Sequence, residues 1–314
     1  MEGSERLSEA RRERRLGLLA AFSCTLLWGV LAIVMKVASA EVDSVTIVWF
    51  RFTFALAALF AIFLLRDPGG LRVLLRPPPL ALIAAIALTA NYLGFMQGLA
   101  LTTPSVAQIL IQAGPLLLAM AGVLIFGERL AARQVAGAIL AVVGFGAFYI
   151  DQHQEAVVPR GALVDGVGFV LLGAVAWAGY AVLQKRIVQG GLAPQALNLV
   201  LYALPALVLA RWASWESLGG LSGTGWAIMC FLGANTLLAY GALGEALKRL
   251  PAYQVSLIIT TNPLITLVVM ELLRGLEPAW LPADSIGLVG YAGSGLVLVG
   301  LGVVLGPRRA GRRA

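Results

Sequence analysis

The 314-residue chain is 60% hydrophobic and 12% charged, with a mean hydropathy of +0.88, whereas a soluble domain carries roughly 25% charged residues. This excludes a water-soluble globular domain and predicts an all-α integral membrane protein, because a backbone in lipid must satisfy its own polar groups. A net charge of +7 would suggest nucleic acid in a soluble chain; here the basic residues sit in short loops, where they report membrane orientation, and no nucleic-acid partner is expected.

Residues 1–15 carry Arg6, Arg11, Arg12, Arg14 and Arg15 among four glutamates and read as a cytoplasmic tail. Apolar runs follow at about 16–37, 45–65, 80–101, 104–126, 134–150, 163–184, 196–211, 225–246, 252–273 and 286–306. Most approach the ~20 residues that cross a bilayer as a helix, so ten spans are predicted. The seventh is short and interrupted by Pro205. Cys24 and Cys230 fall inside apolar runs and read as buried small hydrophobes, and the single histidine, His153, lies in a polar loop. No metal site, cofactor or catalytic constellation is expected from these residues.

With the N-terminus inside, 18 of the 23 basic residues fall in cytoplasmic segments; the remaining five are Lys36, Arg51, Arg160, Arg211 and Arg274. That bias predicts a multi-pass protein of the inner (plasma) membrane with both termini cytoplasmic.

The chain also repeats itself. Pro263 lies 148 residues after Pro115, and Glu277 lies 149 after Glu128. Gly287 lies 150 after Gly137, and Trp28 and Lys36 match Trp177 and Lys185 at an offset of 149. The predicted organisation is a first five-helix repeat at 16–150, a linker at 151–162, a second repeat at 163–306 and a cytoplasmic tail at 307–314. Five spans per half is an odd number, so the two repeats should be inverted relative to each other, with a substrate site near the midplane between them.

Each half closes with a proline, a long apolar run, a Gly/Glu joint and a glycine-rich last span. GPLLLAMAGVLIFGERLAARQVAGAILAVVG, from Gly114 to Gly144, closely resembles the pattern of EamA-type transporters of the drug/metabolite transporter superfamily. The second copy departs from it at Leu276-Glu277-Pro278, where the joint is longer. The resemblance covers about residues 16–306 and implies a carrier of small organic solutes, with export the commoner direction. It also implies that the first-span tryptophans, Trp28 and Trp177, wall the cavity; large-residue packing is their alternative.

Ser105, Gln108, Gln112 and Pro115 recur at i, i+3, i+7 and i+10, one face of a helix. Tyr253, Ser256, Thr260 and Pro263 repeat that spacing. Pro115 and Pro263 remove the donors to the carbonyls of Ile111 and Ile259, which predicts two helix breaks, each with an exposed acceptor. Asn91, Tyr92 and Gln97, with Asn235 and Tyr240, form a second polar set. Each of these groups either lines the solute path or bonds neighbouring helices.

Four charges complete the candidates. Lys36 and Lys185 read as orientation anchors at span ends. Arg51, about two turns into the second span, either braces the outer end by pairing with Asp43 or Glu41 or attracts anionic substrate groups. Glu245 beside Lys248 forms a salt bridge or relays coupled protons. The expected partners are a small-molecule substrate and the lipid bilayer; no oligomeric state is specified. Transport of amino acids or related amphipathic solutes by alternating access is the favoured function. A drug or lipid flippase on the same fold and an intramembrane lipid-modifying enzyme are the alternatives.

Overall fold

A computed structural model describes residues 2–126, 131–155, 157–250, 252–276 and 285–306. In chain order the described residues form α1 (Glu2–Ala38), α2 (Ser44–Arg66), a 3₁₀ turn at Pro68–Leu71, α3 (Arg72–Leu75), α4 (Pro79–Leu101), α5 (Pro104–Leu110) and α6 (Ala113–Phe126). There follow α7 (Ala132–Gln154), α8 (Arg160–Gln189), α9 (Pro194–Leu209), α10 (Trp215–Gly219), α11 (Gly223–Arg249), α12 (Ala252–Ile259), α13 (Asn262–Arg274) and α14 (Leu288–Leu305).

Local chemistry sets the helix starts. Asp43 caps α2, its carboxylate accepting from the Val45 and Thr46 amides at 3.0 Å each. Thr103 caps α5 ahead of Pro104, and Ser222 caps α11. Pro79 and Pro194 open α4 and α9, where a missing N–H costs nothing.

Among the described residues nine stretches are long and apolar enough to cross a membrane, two of them made of paired pieces: Pro104–Ala121, from α5 into α6, and Gln254–Arg274, from α12 into α13. The seventh predicted span is the shorter apolar helix α9, at 16 residues about 24 Å long. The bilayer-facing surface is apolar: Leu19, Phe22 and Leu26 on α1, Ile139 and Val142 on α7, and Leu172 and Val175 on α8 are exposed. Cys24 is buried as expected, whereas Cys230 is exposed on α11, among the outward-facing residues.

The principal pairings between the halves are matched when the halves are exchanged. α1 packs on α11 and α4 on α8, which are the first-on-third and third-on-first pairings of the two halves. α2 packs on its counterpart α9, and α7 on its counterpart α14. The last pair is held by glycines. A Cβ on Gly144 would lie 2.6 Å from the Gly293 carbonyl oxygen, and one on Gly137 would lie 2.7 Å from that of Gly300. Gly144 meets Gly293 while Gly137 meets Gly300, so the two helices run antiparallel. Backbones approach this closely only where small residues line the contact. Asp151, near the end of α7, accepts from the Gly287 amide at 3.0 Å and so caps α14.

Candidate functional site

Both paired spans are broken where a proline follows. α5 ends at Leu110 and α6 begins at Ala113, just before Pro115; α12 ends at Ile259 and α13 begins at Asn262, next to Pro263. One expectation is corrected here. The Ile111 carbonyl is not an exposed acceptor, because the chain tightens into a turn and the Gly114 amide donates to it at 3.0 Å. In the second break the Ile258 carbonyl accepts from the Thr261 amide at 3.1 Å and from the Thr25 hydroxyl at 3.3 Å, the latter reaching across from α1.

The two breaks meet. Gln112 donates its side-chain amide to Asn262 Oδ1 at 2.8 Å, a buried bond between residues 150 apart in the chain. α5 is buried along its whole length, which places Ser105 and Gln108 inside the protein. The Gln108 amide points to the Trp28 carbonyl at 3.4 Å, and the Ser105 hydroxyl is buried with no hydrogen-bond partner. Thr260 is turned back on its own helix, donating to the Ser256 carbonyl at 2.8 Å. The Tyr253 side chain and Glu128 lie outside the described residues.

Around the breaks stand aromatic rings from both halves. Trp28 and Tyr240 meet edge to face at 5.7 Å. Trp177 is half-buried and covers Gly114, where a Cβ would lie 2.9 Å from its ring. Gly29 on α1 comes so close to α13 that a Cβ there would lie 2.6 Å from Ile265 Cβ, and Thr266 donates to the Gly29 carbonyl at 2.5 Å. Asn235 donates to the Leu27 carbonyl at 2.9 Å, and Asn91 to that of Gly173 at 2.9 Å. Gln97 is half-buried on α4, where neighbouring Gly98 packs against α8.

Two charges sit elsewhere than expected. Lys36 is no interfacial anchor: it is buried, and its ammonium donates to the carbonyls of Leu99 (3.0 Å), Ala100 (2.8 Å) and Thr102 (2.6 Å). It thereby caps the C-terminus of α4, where unpaired carbonyls and the helix dipole favour a cation. Lys185, its repeat counterpart, is exposed. Arg51 is buried, but its partners are neither Asp43 nor Glu41. Nε donates to Thr236 Oγ1 at 3.1 Å, Nη1 points to Met35 Sδ at 2.8 Å, and Cζ stands 4.7 Å from the Tyr92 ring centroid. Glu245 is half-exposed and pairs with Lys248 at 2.7 Å and with Arg249, which also reaches Glu13 on α1 at 3.0 Å. This is a bracing arrangement at the end of α11.

Asn262 and Thr236 escape the sequence reading. Asn262 falls two positions out of phase with the Tyr253–Ser256–Thr260 stripe. Its signal was the repeat itself: the offset of 148 that superposes the prolines sets Asn262 where the first half has Gly114.

Two stretches of this chain, residues 15–149 and 165–305, match the model of the EamA-like transporter family. The chain belongs to that family. An uncharacterized inner membrane transporter of Escherichia coli, YhbE, is 33% identical over 92% of this chain and 91% of its own length. An uncharacterized transporter of Haemophilus influenzae is 32% identical over 92% and 94%. A probable amino-acid metabolite efflux pump of Escherichia coli is 26% identical over 83% and 87%. A solved crystal structure superposes with a TM-score of 0.62 at 21% identity, covering 91% of this chain and 95% of that one; it speaks to the fold alone. Membership makes this chain a multi-pass membrane transporter protein, and the two matched stretches are its two EamA repeats.

Proposed function

We propose that this protein is a ten-span inner-membrane carrier that exports amino acids or related amphipathic metabolites. Two inverted halves alternate access to a site between them, with both termini in the cytoplasm. The observation that carries this reading is the Gln112–Asn262 bond, which ties the broken helix of one half to the broken helix of the other. Breaks of this kind bring backbone and side-chain polar groups to membrane depth, where a solute can compete for the bonds they make. The antiparallel packing of the equivalent helices α7 and α14 supports the inversion. The basic-residue bias supports the orientation, and the relative named as an amino-acid metabolite efflux pump supports the substrate class and direction.

In this reading Gln108, Gln112, Ser256, Thr260 and Tyr253 line the path with Asn91, Tyr92, Gln97 and Asn235, while Trp28, Trp177 and Tyr240 supply aromatic walls. Pro115 and Pro263 hold the breaks. Lys36, Lys185 and Glu245 brace helix ends. The test is an untargeted comparison of small molecules inside and outside cells overexpressing the protein, with the Gln112→Leu/Thr260→Leu double variant as control. A solute that accumulates outside only with the intact protein is the expected result. A solute moved equally by both proteins would remove these side chains from the path, and no solute moved by purified protein in liposomes would end the transport reading.

A further inference from the structure

Arg51 is 4% exposed in the interior of a membrane protein, where an ionised side chain is normally matched by a counter-charge. Among the described residues no carboxylate lies within 4 Å of it. The nearby acids on its own side of the chain are occupied or remote: Asp43 holds the α2 amides and the Thr46 hydroxyl at 2.5 Å, and Glu41 is exposed beside Gly225. A guanidinium has five N–H donors in a flat fork. Here one meets a hydroxyl and another a thioether, a weak acceptor, while an aromatic face supports the charge. The site therefore carries net positive charge between α1, α2 and α4 of the first half and α11 of the second.

A second, independent observation lies one residue from Thr236. Asn235 is 1% exposed and its Oδ1 has no hydrogen-bond partner. The amide cannot be turned to cure this. The Leu27 carbonyl can only accept, so the amide nitrogen must face it, and the oxygen is left as an open acceptor. A buried acceptor without a donor is costly unless something supplies one.

We infer that Arg51 receives the carboxylate of a zwitterionic solute and that Asn235 Oδ1 accepts from its ammonium group. The substrate is an α-amino acid or a molecule with that head. Thr236 and Tyr240 are four residues apart and share a face of α11, so the edge-to-face Trp28–Tyr240 pair flanks the head and takes the apolar remainder of the solute. A planar guanidinium matches a carboxylate bidentately, which a lysine cannot reproduce. Both groups are closed off from solvent here. The inference rests on the transport reading and names the atoms of the same site.

The test uses the full chain in liposomes loaded with the twenty labelled L-amino acids, with free acids, their carboxamides and their N-acetyl derivatives as competitors. In the wild-type protein the carboxamide of a transported amino acid should compete about 100-fold more weakly than the acid, because a site built to bind a charged group rejects the analogue lacking it. Arg51→Gln should abolish that preference, with Arg51→Lys restoring part of it, and Asn235→Leu should abolish the preference for the free amine. Acid and carboxamide competing equally in the wild-type protein would overturn the assignment without any variant having to fold. Transport of a solute that bears no carboxylate would overturn it too, while leaving the carrier reading intact. Failure to move any solute, including those sought in the cellular comparison, would instead remove the carrier reading.

Discussion

Gly144 and Gly146 lie on the same helix, two residues apart, and the structure assigns them opposite responses to one methyl group. A Cβ on Gly144 would stand 2.6 Å from the Gly293 carbonyl oxygen and 2.6 Å from the Val297 amide nitrogen, whereas around Gly146 nothing lies within 4 Å. Ordinary contact begins near 3.4 Å, so α7 and α14 must part by about 0.8 Å to admit alanine at 144. Both obstructing atoms are backbone and cannot swing aside. The same separation loosens the second crossing at Gly137 and Gly300. Overpacking of this kind costs about 1–3 kcal/mol, or roughly a 5- to 150-fold fall in the folded-to-unfolded ratio. Alanine at 146 faces outward and should be neutral or gain up to about 1 kcal/mol of helix propensity. The two single variants, purified in the same detergent, would be compared by reversible unfolding in sodium dodecyl sulfate. Gly144→Ala should unfold at lower denaturant than wild type and Gly146→Ala at the same or higher. Equal midpoints would refute the claim that the α7–α14 seam is a backbone-to-backbone contact.

Two further expectations concern side chains. Lys36→Met leaves the carbonyls of Leu99, Ala100 and Thr102 without their cation, and should cost about 2 kcal/mol or more, read as a lower melting midpoint; Lys185→Met at the exposed counterpart should cost no more than the roughly 1 kcal/mol of an exposed pair. Gln112→Leu and Asn262→Leu should show a coupling of about 0.6–1.7 kcal/mol in a double-mutant cycle of unfolding free energies, the range of hydrogen bonds between membrane helices, and additive effects would mean the bond contributes nothing.

Much of this molecule was legible before any coordinates. The helical architecture of the described residues is written in the apolar runs, whose length suits a spanning helix, where a closed barrel would use strands of about 10 residues. The 148-residue offset between Pro115 and Pro263 marked the two spans that prove to be broken. What stayed illegible were partners without a sequence signature. Arg51 drew attention to Asp43 and Glu41, which are near in the chain, while its actual contacts are a thioether, a hydroxyl and a ring brought from α1, α11 and α4. Lys36 binds three backbone carbonyls, which every residue owns. Asn262 needed the second half laid on the first before its place could be seen.

The repeat also shows where the two halves had to diverge. The main contacts of the two halves match: α7 and α14 oppose glycine to glycine, and α1 on α11 mirrors α4 on α8 when the halves are exchanged. The polar groups match only in part. Any offset of 148–150 takes Arg51 to Leu199, Val200 or Leu201, all buried and apolar. The offset of 146 that joins Gly98 to Gly244 takes Asn235 back to Thr89 and Tyr240 back to Gly94. In the proposed inverted arrangement, two identical halves would present every recognition group twice, in mirrored senses along the membrane normal, and could not hold the proposed zwitterionic head in a single orientation. In the proposed carrier, the apolar counterparts of Arg51 and the Gly94 counterpart of Tyr240, with the α7–α14 seam left alike, suit a fold that alternates access around an asymmetric solute.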